Sequence, residues 1–194
     1  MQDLRMLFRQ EAQSSLDTVS AAMQACLDDI VTGFGCIKAA VAADKAIIIC
    51  GNGGSAADAQ HLSAELLGHY KAIRRPVRAM SVTTDTSTLS AIANDDGYEQ
   101  VFARQIVGIG REGDVLVAIT TSGRSKNVLE ALKAARGQGM KTIILTGQGG
   151  SALADVEVNI AVPSNDTARI QEVHGLIIHL WCHALDQAFI NGEL

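Results

Sequence analysis

The chain has 194 residues, with 16 Lys and Arg against 21 Asp and Glu for a formal charge of −5. A length of this order fits one domain, and 47% hydrophobic residues supply a sizeable core and exclude a disordered chain. The acidic balance, the absence of a basic run and an aromatic content of only 4% argue against the charge footprint and base-stacking platforms of nucleic-acid binders.

Residues 3 to about 44 contain no proline and carry a helical stripe of Leu16, Val19, Met23, Leu27, Ile30 and Val31. Gly33 and Gly35 are expected to break this segment into two helices, which pack on their own sheet, on another subunit, or on both. From residue 45 short apolar runs alternate with helical segments. Ala46–Cys50 is a predicted buried strand that ends in Gly51-Asn52-Gly53-Gly54, and a helix capped by Ser55 follows to about Leu67. Val77–Val82 is a second strand, followed by helices over about 86–93 and 98–107. Asp114–Ile119 is a third strand, then a helix over about 126–136, strands at 141–146 and 156–162, and a long helix over about 167–190. Such alternation predicts βαβ units and an α/β three-layer sandwich, with a five-stranded parallel sheet flanked by helices. One domain over 1–194 is expected, with 1–44 as a helical oligomerisation segment and 45–194 as the core.

No apolar run approaches the ~20 residues of a membrane span, and charges interrupt the first residues, MQDLRMLFRQE, where a signal peptide would be apolar. Cys26, Cys36, Cys50 and Cys182 stand singly, as expected of reduced thiols in a cytoplasmic protein.

Ligands of open parallel sheets bind beyond the carboxyl ends of the strands, and two segments there suit an anion. Gly51–Ser55 allows close backbone approach at a helix start, although a tight turn alone would look the same. Gly51-x-Gly53-x-x-Ala56 also fits a dinucleotide fingerprint, but about 20 residues on stands Lys71-Ala72-Ile73-Arg74-Arg75 in place of an acidic residue. The second segment, Thr120-Thr121-Ser122-Gly123-Arg124-Ser125, gathers four hydroxyls at a helix start, more than one cap requires. His61 and Glu65 share a helix face, as a metal-binding pair, an acid/base pair or an ordinary exposed pair. Gln171 and His179 lie about 80° apart on the last helix, where polar groups in an apolar run need partners, whether core hydrogen bonds or a metal.

CGNGGSAADAQHLSAEL, AIANDDGY, REGDVLVAITTSGRSKNV and TARIQEVHGLIIH, in this order along essentially the whole chain, closely resemble the phosphoheptose isomerases, single-domain sugar isomerase (SIS) proteins. The resemblance implies the SIS fold preceded by N-terminal helices. It implies conversion of sedoheptulose 7-phosphate to D-glycero-D-manno-heptose 7-phosphate, the first step towards the ADP-heptose precursor of the lipopolysaccharide core. It further implies one zinc ion per subunit held by His61, Glu65, Gln171 and His179. Substrate contacts are implied from Asn52, Gly53, Ser55, Asp95, Thr120, Thr121, Ser122, Ser125 and Gln171. A cytoplasmic homotetramer is implied, with sites near the subunit interfaces, a small phosphosugar as substrate, and no membrane or nucleic-acid partner.

Three positions depart from the family pattern: Thr120 for the usual serine, Arg124 for the common asparagine, and Ala168 where some members carry aspartate. Ketose-to-aldose conversion through an enediol needs an acid/base pair, and Glu65 and His179 are the expected catalytic residues. The competing reading is a non-catalytic SIS tetramer that binds the replication initiator DnaA. That relative keeps the ARIQE…H region but not Glu65 and His179, both present here. A sugar-phosphate-sensing module of a transcription regulator would need a DNA-binding domain beside it.

Overall fold

The computed structural model describes residues 3–194; Met1 and Gln2, which the expected domain and its N-terminal segment include, lie outside the described residues. Five strands form the sheet: β1 (Ile47–Gly51), β2 (Ala79–Ser81), β3 (Val115–Ile119), β4 (Lys141–Gly147) and β5 (Val158–Val162). All neighbours pair in parallel, in the order β2-β1-β3-β4-β5. β1 and β3 are buried at every position, as interior strands covered on both faces must be.

Side chains alternate between the faces. Ile47, Ile49, Val117, Ile119, Ile143 and Leu145 join one core with α1 (Leu4–Ala25), α2 (Leu27–Ala42), α3 (Gly54–Leu67) and α7 (Thr167–Ile190). Ile48, Cys50, Leu116, Ala118 and Ile144 join the other, under α4 (Thr86–Asp95), α5 (Ala103–Ile109) and α6 (Lys126–Gly137). The chain leaves β1 towards β2 and returns to place β3 on the other side of β1, so the winding reverses between β1 and β3. Among the described residues no helix is long and apolar enough to cross a membrane.

The expected α/β sandwich is therefore present, with local differences. The N-terminal helices divide at Cys26, whose φ of −117° and ψ of 1° leave the helical region, and not at Gly33 or Gly35, which lie inside α2. Gly33 serves close packing instead: a Cβ there would stand 3.0 Å from the Trp181 ring, whose indole N–H donates to the Ile30 carbonyl at 2.9 Å. The second strand is shorter than expected because the Val77 N–H bonds the Leu66 carbonyl at the end of α3. Asp114 precedes β3, where its carboxylate accepts the N–H groups of Ala46 and Arg111. Residues 98–107 form a short 3₁₀ turn, Tyr98–Gln100, and only then α5. All four cysteines are unpaired.

His174 on α7 is fully buried, with Nε2 3.3 Å from the Thr146 carbonyl oxygen. Burial holds its pKa down at about 4, although the Thr146 hydrogen bond pulls the other way. Between that value and the ordinary 6.5, the unfolded chain takes up a proton that the folded chain refuses. Stability should therefore fall as pH drops through this window, by about 3 kcal/mol from this residue. Urea titrations at pH 7 and pH 4 should show a smaller loss in His174→Gln than in the parent.

Candidate active site

β1 ends in a turn that only glycine permits. A Cβ on Gly51 would lie 2.5 Å from the Ser55 carbonyl oxygen, and Gly53 has a φ of +56°. Gly53, not Ser55, occupies the cap position of α3, and no side chain caps it. Ser55 is the second residue of the helix, a buried residue that borders a cavity. Gly54 brings the last helix close: a Cβ there would sit 2.3 Å from Gln171 Nε2.

The β3 loop faces this turn. Thr120 Oγ1 and Ser125 Oγ are 3.1 Å apart, and the Arg124 N–H donates to Ser122 Oγ at 3.1 Å. Gly123, with a φ of +65°, packs so tightly on Gly150 that a Cβ would stand 2.4 Å from the Gly150 Cα. Ser125 caps α6 by position only, because its side chain makes no capping bond. A reciprocal amide pair joins the two loops: Asn52 Nδ2 donates to Asn127 Oδ1 at 2.9 Å, and Asn127 Nδ2 donates to Asn52 Oδ1 at 2.8 Å.

Between the loops lies a cavity of about 270 Å³. Of the residues that the resemblance implies as substrate contacts, Asn52, Ser55, Thr120, Thr121, Ser122, Ser125 and Gln171 line it, together with Gly54 and Thr167, whereas Gly53 does not. Thr167 is the first residue of α7. The starts of α3, α6 and α7 thus border one cavity with the positive ends of their helix dipoles, although on α7 the Asp166 carboxylate already accepts the Ala168 N–H. Asp95 is elsewhere: it is exposed at the end of α4, where it accepts a hydrogen bond from Asn94, and it does not line the cavity.

The remaining expected residues meet where α3 and α7 run side by side. His61 Nε2 lies 3.4 Å from Glu65 Oε1 and 3.3 Å from His179 Nε2. Ligands at about 2.0–2.1 Å from a tetrahedral zinc stand roughly 3.4 Å from one another, so these two spacings and the N, N and O donors fit such an ion. The three side chains meet pairwise through His61. Among the described residues no three His, Cys, Asp or Glu groups close around one point, and Gln171 lies against Gly54 at the cavity. Burial pushes the Cys50 and Cys182 thiols up to about 12.

Several residues around the site escaped the sequence reading. Asp58, one turn before His61, has a buried Oδ2 without a partner, and burial raises its carboxyl against the opposing pull of His61. Its spacing from His61 is the only signal the sequence carries. Tyr70 stacks on His179, and Arg74 pairs with the fully buried Asp186 at 3.0 Å.

The SIS domain family profile matches residues 8–147. A phosphoheptose isomerase of Thiobacillus denitrificans is 47% identical over 190 residues, which is 96% of this chain and 94% of that protein. One from Halorhodospira halophila is 46% identical over 188 residues, covering 93% and 95%. The chain belongs to the phosphoheptose isomerase family. The structure of phosphoheptose isomerase GmhA from Neisseria gonorrhoeae superposes with a TM-score of 0.89 at 41% identity, over 95% of this chain and 100% of that one. This family membership agrees with the resemblance carried by the Gly51–Ser55 and Thr120–Ser125 loops.

Gly54 offers a direct test of the cavity. Gly54→Ala should leave the thermal midpoint within a few degrees, because the clash falls on the flexible end of Gln171. The displaced amide should still lower kcat/KM about a hundredfold, the cost of misplacing a positioned group by roughly an ångström.

Proposed function

We propose that the protein is an aldose–ketose isomerase that converts sedoheptulose 7-phosphate to D-glycero-D-manno-heptose 7-phosphate, the first step towards ADP-heptose. The observation that carries this reading is the meeting of three helix starts with the hydroxyls of Ser55, Thr121, Ser122 and Ser125, beside an imidazole–carboxylate group on α3 and α7. The hydroxyls and N–H groups bind the phosphate and so fix the sugar's far end. Asn52, locked to Asn127, borders the same space and orients the chain of hydroxyls.

Isomerisation moves one proton between carbons and one between oxygens. Glu65 and His179 share this work. One takes the proton from C1 while O2 is protonated, which leaves a 1,2-enediol. A proton is then delivered to C2, and O1 gives one up as the C1 aldehyde forms. His61, Glu65, Gln171 and His179 are the residues that would hold a zinc ion, and such an ion supplies Lewis-acid polarisation of the substrate's oxygens.

The working unit is a homotetramer in the cytoplasm. Four unpaired cysteines suit a reducing compartment. Exposed Leu4, Met6, Phe8 and Leu16 on α1 supply apolar surface for subunit contact.

The parent protein should turn over sedoheptulose 7-phosphate and lose that activity on treatment with a chelator. Glu65→Gln should reduce kcat by about 10²–10⁴-fold, the usual contribution of a positioned acid or base. Full activity in Glu65→Gln would remove Glu65 from the proton transfers. Absence of turnover by the parent in any metal condition would point instead to a non-catalytic tetramer.

A further inference from the structure

We infer that Tyr70, held in place by the buried Asp186–Arg74 clasp, is the positioning residue for the imidazole of His179; the catalytic part of this inference rests on the function proposed above.

α3 ends at Leu67, with Gly68 as its C-cap, and the chain from there to β2 has no regular structure to hold it. Its first residues are anchored by a carboxylate on α7. Asp186, fully buried, accepts the backbone N–H groups of Lys71 and Ala72, each at 2.8 Å, and the Arg74 Nε–H at 3.0 Å. Arg74 in turn donates to the Glu65 carbonyl at 2.7 Å and the Leu66 carbonyl at 3.0 Å, which ties the last turn of α3 into the same knot. Burial alone would push the Asp186 carboxyl up, but these donors hold it below its ordinary range.

Tyr70 is the residue immediately before this anchored pair of N–H groups. Its ring lies 5.4 Å from that of His179, centroid to centroid, at an interplanar angle of 26°. The ring is half-buried against the core beneath the sheet, and its hydroxyl makes no hydrogen bond among the described residues. The other neighbour of His179, the His61 ring, meets it edge-on at 81°.

A flat face therefore sets the plane of His179 without occupying either ring nitrogen, which leaves Nε2 to its contact with His61. The usual alternative, a carboxylate or carbonyl on the second nitrogen, would fix one tautomer. The clasp explains why a ring in an irregular segment can be held firmly enough for this task.

The test is a pair of variants, Tyr70→Phe and Tyr70→Leu, with crystal structures of both and of the parent, and steady-state kinetics. Tyr70→Leu should shift or split the His179 ring and lower kcat about tenfold to a hundredfold with KM within about twofold, the scale of losing an outer support for a ligating histidine. Tyr70→Phe, which keeps the face and loses only the hydroxyl, should retain both ring position and kcat. Should Tyr70→Leu fail to fold, Tyr70→Met fills a similar space without a flat face and takes its place. The inference is overturned if His179 keeps its parent position in the non-aromatic variant, if kcat there matches an active parent, or if Tyr70→Phe is equally impaired. A parent without isomerase activity overturns the proposed function, while the His179 ring position still decides whether Tyr70 positions it.

Discussion

Two adjacent strands that send the chain to opposite faces of one sheet create the space in which everything else happens. Because β1 feeds α3 on one side and β3 feeds α6 on the other, their carboxyl ends cannot be bridged by the chain itself, and a crevice opens between them. The glycines of the β1 turn and the hydroxyls of the β3 loop line it because their strands end there. α7 then crosses the opening, contributing Thr167 and Gln171 to the cavity and His179 to the imidazole pair with His61 on α3. The sheet sets the location, and the last helix joins the cavity to the imidazole pair.

On the function proposed above, an acidic protein holds an anion here without a basic run of residues. Charge summed over the chain is a poor guide to a site made of backbone dipoles, since N–H groups at helix starts contribute partial charges that no residue count includes. The net charge of −5 does bear on long polyanions, which need many fixed cations on an outer face. A single phosphate needs only one concave patch with donors aimed inward.

The alternation of strands and helices was legible because buried parallel strands read as unbroken apolar runs, and Ile47–Ile49 and Val115–Ile119 are such runs. Their bounds drifted where pairing is decided elsewhere, as when the Val77 N–H turns to Leu66. Gly33 misled for a related reason: a glycine may break a helix or admit a neighbour, and only the position of Trp181 distinguishes the two. In the site, Asn52, Ser55 and the Thr120–Ser125 hydroxyls stood out through local density of glycine and hydroxyl groups. Asn127, Thr167, Tyr70 and Asp186 did not, because each acquires its role from contacts across the fold. Asn127 meets a partner 75 positions away, and Asp186 one 115 positions away. Asp95 is the reverse case, expected from resemblance but exposed on α4 outside the cavity of this chain.

The amide pair between Asn52 and Asn127 has a consequence for how the two loops behave under changing conditions. Neither amide titrates, and neither carries a net charge for salt to screen. A carboxylate–ammonium bridge in the same place would tighten or slacken with acidity and ionic strength. The spacing of the two loops therefore rests on a link indifferent to both.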